Sequence, residues 1–392
     1  MIDHNIQSEI VISCLPGLGE TLASEMQRLH FPVEEVRSRM VKTRGSLLDT
    51  YYLNLWLRTA SHVHYKLKTF GAANPDELYD QAGKLPWEDY IEVDGYFSIQ
   101  SVVHNEHIRD NRFANLRLKD AIADRFMKKF GKRPDSGPDA IGVGVYLYWE
   151  GNNATLYLDT SGRTLFKRGY RVRTVDAPMS EGLAAAVIYS TDWDGVSPFI
   201  NPMCGSGTLA IEAALMACNI PPAWLREDFG FMGIKGFDEG HWSKVKKEAA
   251  DSIRQEVPAI FYASDKKRSA LQAAEMNAKK AGVYDLIHFE AIDFVRSEVP
   301  QAEAGVVVFN PEYGERMGES DKLKETYQRI GDFLKQKCVN YTGYVFTGNS
   351  DLAKSVGLKT SMRKPFYNAK IECRLLEYKM YTGTKKQNKE TP

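Results

Sequence analysis

Four short stretches of the chain carry residue types that could do chemistry. "FINPMCGSGTLAIEAA" sets Gly205 and Gly207 between an apolar run and a helical pattern. Glycines at such a junction let a ligand approach the backbone, and the helix start offers free N–H donors. "FYASD" and "FEAID" each close an apolar run with an acid, Asp265 and Asp293. An acid at Asp265 can accept hydrogen bonds from two ribose hydroxyls. Asp293 can take an adenine amine, with Phe294 available to stack on the ring. "GVVVFNPEYG" ends a fourth run in an amide, an imide and an aromatic ring: Asn310, Pro311 and Tyr313, with Glu312 between them. One strand-end Asp is commonly just a helix N-cap, and a Gly-rich junction commonly just a tight turn. Ligands of open α/β sheets lie beyond the carboxyl ends of the strands, so four such ends in register favour a binding site.

Other chemistries fit less well. Gly205-x-Gly207-x-x-Ala210 satisfies the dinucleotide pattern, but the next strand-end acid, Asp265, comes 60 positions after Gly205. A compact dinucleotide unit places it after roughly 20. Gly207 is not followed by Lys, which removes the phosphate-loop pattern. His104-x-x-His107 with Glu106 suggests a metal, yet no Cys or third His lies nearby. Cys204 beside the glycines has no evident triad partner and reads better as a small packing residue.

These residues need elements to position them. A chain of 392 residues, 43% hydrophobic and 11% aromatic, suits two or three globular domains. Fifty-one basic and fifty-one acidic residues cancel, so a nucleic-acid partner would need a local basic patch. Five scattered cysteines without a CxxC pair imply a reducing compartment and no disulfide framework. The N-terminus lacks the pattern of a signal peptide, and no apolar run nears the roughly 20 residues of a membrane span. A soluble, cytoplasmic protein is expected.

"EIVISCLPGLGETLASEMQRLHF" reads as strand, turn and amphipathic helix, followed by an apolar helix from about Leu47 to Ala60. From His62 to Tyr157 come the strand "GYFSIQSVV", a helix closed by Gly131, and a hairpin around Gly151-Asn152-Asn153. "GRTLFKRGYRVRTVDAPMS" is the most basic stretch, with Arg163, Lys167, Arg168, Arg171 and Arg173. It is either a solvated linker or a phosphate-binding patch. Beyond it strands and helices alternate, which implies a mainly parallel sheet with crossover helices. Residues 219–258 interrupt that alternation as an aromatic-rich insertion, and "NAKIECRLLEYKMYTG" reads as a final extended segment suited to an antiparallel edge.

"NPMCGSGTLAIEAALMACNIPP", "ASDKKRSALQAAEMNAKKAG", "FEAID" and "FNPEYGERMGE" resemble the successive motifs of S-adenosylmethionine-dependent, THUMP-containing RNA guanine methyltransferases. "CLPGLGETLASEM", "LRLKDAIADRF…GKRP" and "YLDTSGRTLFKRGYR" resemble that family's ferredoxin-like and THUMP segments. The resemblance covers nearly the whole chain and implies a fold of α/β class. A Rossmann-like class I methyltransferase domain with a mostly parallel sheet (191–384) would follow a ferredoxin-like α+β module (1–60), a THUMP domain (61–160) and a basic linker (161–190). A tail occupies 385–392. It implies S-adenosylmethionine held by Asn201, Gly205, Gly207, Asp265, Asp293 and Phe294. Asn310 and Pro311 would accept the two protons of a target amine, and Tyr313 would stack on a base swung out of the RNA. RNA would be gripped through Arg163, Lys167, Arg168, Arg171 and Arg173. The implied partner is 23S rRNA or an assembling large ribosomal subunit, met by a monomer without metal or membrane, and the implied target is the exocyclic amine of a guanine.

The family usually has a second Pro where this chain has Glu312. That departure keeps alive a catalytically silent RNA-binding assembly factor. An amino-methyltransferase acting on tRNA, DNA or protein is the alternative within enzymes.

Overall fold

The computed structural model describes residues 3–105, 108, 110–139, 141–175, 178–313 and 320–380. The chain divides into two compact units. One comprises the residues up to Arg168 together with Pro221–Ser252; the other comprises Gly169–Ile220 and the residues from Ile253 onward.

In the first unit β1 (Ser8–Cys14) buries Ile10, Ile12 and Cys14, the period of two expected of a strand with one face inward. α1 (Gly19–Arg28) follows and buries Leu22 and Met26. β2 (Glu35–Arg37), β3 (Met40–Gly45), α2 (Asp49–Trp56), β4 (Ala60–Gly71) and α3 (Pro75–Ala82) complete the first half. The helix expected from Leu47 to Ala60 is shorter, because Ala60 already opens β4. β5 (Tyr96–His104) leads to α4 (Asn111–Phe130), which is capped by Asp110 and closed by Gly131 at φ 67°. β6 (Asp135–Ser136), β7 (Val143–Glu150) and β8 (Asn153–Asp159) finish the unit's strands, with the β7–β8 hairpin in the expected place. All eight form one sheet in the order β2-β3-β1-β4-β8-β7-β5-β6. The antiparallel β4–β8 ladder joins the parts that the sequence suggested as separate modules.

The second unit begins with α5 (Glu181–Ile188), β9 (Phe199–Pro202) and α6 (Thr208–Ala217). The aromatic-rich stretch after them contains α7 (Glu239–Ser252) and belongs to the first unit, where Phe231 stacks on Tyr51 at 4.1 Å and Trp242 meets Phe231 edge-on. The second unit resumes with β10 (Phe261–Ser264), α8 (Arg268–Ala281), β11 (Ile287–Glu290), β12 (Gly305–Phe309) and α9 (Ser320–Lys337). β13 (Tyr341–Thr347), α10 (Ser350–Ser355), β14 (Met362–Asn368) and β15 (Ile371–Lys379) close it. The sheet order is β11-β10-β9-β12-β13-β15-β14. Its first five strands run parallel, and the β14–β15 hairpin joins β13 antiparallel. This is the expected mostly parallel α/β sheet with an antiparallel edge.

Buried charged groups, Glu88 and Arg168 among them, tie the first unit together. Glu88, in the turn after α3, takes Arg125 of α4 bidentately at 2.6 and 2.7 Å and Lys129 at 2.6 Å. The Arg125 guanidinium, with Lys129, holds its carboxyl down at about 2 despite burial. Arg168 is 1% exposed and donates to the carbonyls of Leu165, at 2.7 Å, and Arg58. Replacing it with Met removes these donors and strands both carbonyls, so Arg168→Met should lower the unfolding free energy by about 2–4 kcal/mol in urea titrations.

Glu88 makes stability pH-dependent with a definite sign. Its folded pKa of about 2 lies below its ordinary 4.5, so the ion pair contributes fully above pH 4.5 and is lost as pH falls toward 2. Glu88→Gln should cost on the order of 3 kcal/mol at pH 7, and its difference from wild type should shrink toward zero by about pH 2 in the same titrations.

Candidate active site

Strand order reverses between β9 and β12: the chain steps outward from β9 through β10 to β11, then returns to the opposite side at β12. Connections leave on opposite faces at such a point and open a crevice at the carboxyl ends of the strands. β9 and β12 pair only through Phe199↔Val306 and Ile200↔Val307. Past that, Asn201 spans the gap, its Nδ2 donating to the Val308 carbonyl at 2.9 Å. Asn201 is 1% exposed, and its Oδ1 is buried without a protein partner.

Gly205 and Gly207 both occupy the left-handed region, at φ 56° and 79°. Gly207 caps α6, and a Cβ there would lie 2.8 Å from the Cβ of Ala274 on α8, so backbone and packing both require glycine. Asp265 holds this loop against the end of β10. Its Oδ2 accepts from the Gly205 N–H at 3.0 Å and its Oδ1 from the Lys267 N–H at 2.8 Å. Each oxygen retains a second lone pair.

Asp293 takes Arg329 of α9 at 2.7 Å and the Val295 N–H at 3.2 Å. Burial pushes it toward the neutral form, but the guanidinium and the N–H outweigh burial and hold the carboxyl below its usual range. Phe294 is less free than expected. It is 5% exposed and packs edge-on against Phe309 and Phe333, with the Arg329 guanidinium 5.4 Å from its ring centre.

On the fourth strand end, Asn310 Oδ1 is also buried without a protein partner, and Pro311 beside it is buried. The Tyr313 hydroxyl accepts from Asn368 Nδ2 at 2.9 Å, and its ring meets Phe346 edge-on. Burial pushes Tyr313 up to about 12, with Asn368 opposing, so at neutral pH it is a phenol and not a base. Glu312 is exposed and pairs with Lys267 at 3.0 Å. Gly205, Asp265, Asp293, Asn310 and Tyr313 all line one cavity of about 1000 Å³, at the upper end of what small-molecule sites occupy.

The basic stretch needs correction. Arg168 is a buried anchor. Arg171 is largely buried too, with Glu181 at 2.9 Å, the Met179 carbonyl, Ser206 and Thr208 as partners. Neither guanidinium is presented to a phosphate, because both satisfy polar groups of the fold. Arg163 pairs with Asp228 on the surface, while Lys167 and Arg173 are exposed. Burial pushes the Cys204 thiol up, and the Asp265 carboxylate adds to the shift, so Cys204 is a packing residue and no nucleophile. His104 ends β5, and its proposed companions Glu106 and His107 lie outside the described residues.

Sequence reasoning missed Asn277. It is wholly buried on α8, accepts from the Val172 and Arg173 N–H groups at 2.9 and 3.0 Å, and donates to the Arg173 and Ser206 carbonyls. It ties the segment after Arg171 to the glycine loop. The available signal was an amide on the small apolar face of Ala270, Ala274 and Ala281.

Comparison with known proteins agrees with this geometry. Residues 168–377 match the RMKL-like methyltransferase domain, 72–159 the THUMP domain, and 9–64 the RlmL ferredoxin-like domain. The ribosomal RNA large subunit methyltransferase K/L of Syntrophotalea carbinolica is 36% identical over 92% of this chain and 52% of its own length. The chain thus spans about half the length of such curated relatives. A putative RNA methyltransferase of Synechocystis sp. is 34% identical over 93% of this chain and 95% of its own. A putative methyltransferase solved in complex with S-adenosylhomocysteine superposes with a TM-score of 0.86 at 25% identity, covering 96% of this chain and 99% of that one. A Listeria monocytogenes protein described as a predicted N6-adenine-specific DNA methylase gives 0.85 at 30% identity, covering 96% and 97%. Glycine loop, strand-end acids and Asn-Pro-x-Tyr turn around one cavity, with a methyltransferase-domain match over 168–377, place the chain in the RMKL-like methyltransferase family.

Proposed function

We propose that this chain transfers a methyl group from S-adenosylmethionine to an exocyclic amine of an RNA base, and that the base is a guanine of large-subunit ribosomal RNA. The observation that carries the chemistry is the Asn310 amide oxygen, buried without a protein partner at a strand end beside Pro311. A buried acceptor in that condition needs an explanation, and an amine donor supplies one. Asn310 Oδ1 and the Pro311 carbonyl would each take one amine proton and aim the nitrogen lone pair into the cavity. Positioning of this kind supplies a large share of catalysis when the acceptor is a weak nucleophile. Tyr313 then offers its ring, not its hydroxyl, to the base.

The residues fit the cofactor. Gly205 leaves the backbone open and Asp265 has lone pairs left for ribose hydroxyls, whereas Asn201 and Gly207 lie behind the cavity wall and shape the loop from there. Asp293, fixed by Arg329, would serve the adenine amine, with Phe294 as part of the cavity wall and not a free stacking ring. When bound, S-adenosylmethionine supplies an electrophilic methyl on positively charged sulfur. RNA as substrate is favoured by the THUMP match and by what the relatives are described as modifying. For phosphate contact the exposed Lys167 and Arg173, with Arg163, are the remaining candidates of the basic stretch.

Labelled methyl transfer to unmodified ribosomal RNA, followed by nucleoside analysis, tests the reading. N2-methylguanosine is expected; label on adenine would shift it toward the DNA-methylase description of the Listeria protein, and no label on any RNA would overturn it. Asn310→Ala should lower kcat about 10²-fold or more while the cofactor Kd stays within about twofold, by analogy with loss of one group in a preorganised site. Asp265→Ala should show the opposite pattern, raising the cofactor Kd about tenfold to a hundredfold in calorimetry.

A further inference from the structure

We propose that His62, His64 and Asp159 form a binding site for one divalent transition-metal ion of the zinc class, within the first unit and separate from the cavity described above. His62 and His64 are two apart on β4, so they share a face. The β4–β8 register sets Asp159 directly across from His64. One donor atom from each of the three lies within 4.8 Å of the others, and His62 Nδ1 is 3.5 Å from Asp159 Oδ2. A tetrahedral ion with bonds of about 2.1 Å has ligand–ligand edges of about 3.4 Å. One edge of that tetrahedron is already present, and the third donor lies within about 1.4 Å of the remaining edges.

The surroundings match a metal better than a packed histidine pair. His64 is 5% exposed, and its Nδ1 has no hydrogen-bond partner, a costly state for a buried nitrogen. The Tyr146 ring stacks on the imidazole at 4.3 Å and fixes its plane. Asp159 Oδ1 is held by the Ser161 and Gly162 N–H groups at 2.9 and 3.3 Å, so the carboxylate presents Oδ2. Outer contacts of this kind orient metal-binding carboxylates. Gly144, beside Asp159, admits no Cβ: one would lie 2.9 Å from the Asp159 Cβ. A cavity of about 10 Å³ lined by Gly142, Gly144, Asp159 and Gly162 lies beside the carboxylate, room for about one water.

Two imidazoles and a carboxylate without thiolate select zinc, cobalt, nickel or iron over calcium or magnesium. An ion here would bridge β4 and β8, the strands through which the ferredoxin-like half of the sheet joins the THUMP half. Its role is a clamp on the platform, whatever the cavity of the second unit catalyses.

The test uses the full chain, untagged and stripped with a chelator, titrated with Zn2+ by calorimetry and with Co2+ by absorbance. The expected result is one ion per chain, ligand-field bands of bound Co2+ without a thiolate charge-transfer band, and a higher Tm with metal. His62→Ala, at a partly exposed position, should bind at least about tenfold more weakly and lose the metal-dependent rise in Tm while keeping the metal-free Tm. His64→Asn should do the same where it folds. Absence of saturable binding at one ion per chain, or equal affinity in His62→Ala, would overturn the proposal.

Discussion

The second unit is organised around the gap between β9 and β12. Connections that leave two neighbouring parallel strands on opposite faces open a crevice at their carboxyl ends, and here the ladder stops after two residue pairs. Backbone groups beyond the last pair would be left in a buried crevice without partners. Asn201 answers that constraint by reaching across to the Val308 carbonyl. The same side chain links the two strands past their last ladder pair and leaves its own oxygen facing no protein donor. Because the crevice opens there, the glycine loop after β9 and the Asn-Pro turn after β12 border one cavity.

Several side chains around the cavity fix a loop by satisfying its backbone. Asp265 accepts from the Gly205 and Lys267 N–H groups, and Asn277 does the same for the segment at Val172 and Arg173. Arg171 ties that segment again through Glu181, Ser206 and Thr208. Charged and amide side chains serve here as internal scaffolding: Asp265 and Asn277 stand in for the ladder partners that a loop lacks, and Arg171 braces the segment through other side chains.

This explains what the sequence made legible. Asp265, Asp293 and Asn310 were found because each interrupts an apolar run at a place where only a strand end can tolerate polarity. The same logic failed for Arg168 and Arg171. Composition reports charge, not burial, and a guanidinium with five donors can be fully satisfied by carbonyls in the interior. β4 was missed because "ASHVHYKLKTFG" mixes histidines and lysines, and its strand character comes from β1 and β8 on either side. Pro221–Ser252 read as an insertion because its partner Tyr51 lies far away in sequence. His62, His64 and Asp159 were invisible for the same reason: their proximity is a property of register, which periodicity alone does not set between distant strands.

The Asn-Pro-x-Tyr turn is held by contacts that do not involve the Glu312 side chain. The Glu312–Lys267 pair is more than half exposed on both sides, and exposed pairs of this kind contribute about 0–1 kcal/mol. It does not hold the turn. Tyr313 does, through Asn368 on the β14–β15 hairpin and the edge of Phe346 on β13. Gly348 is part of that arrangement, because a Cβ there would come within 2.9 Å of the Tyr313 ring. The antiparallel hairpin appended to the sheet edge thus anchors the turn from its far side, while buried Pro311 fixes the near side. A Pro at position 312 would restrict the backbone of a segment that buried Pro311 and the Tyr313 contacts already hold on either side.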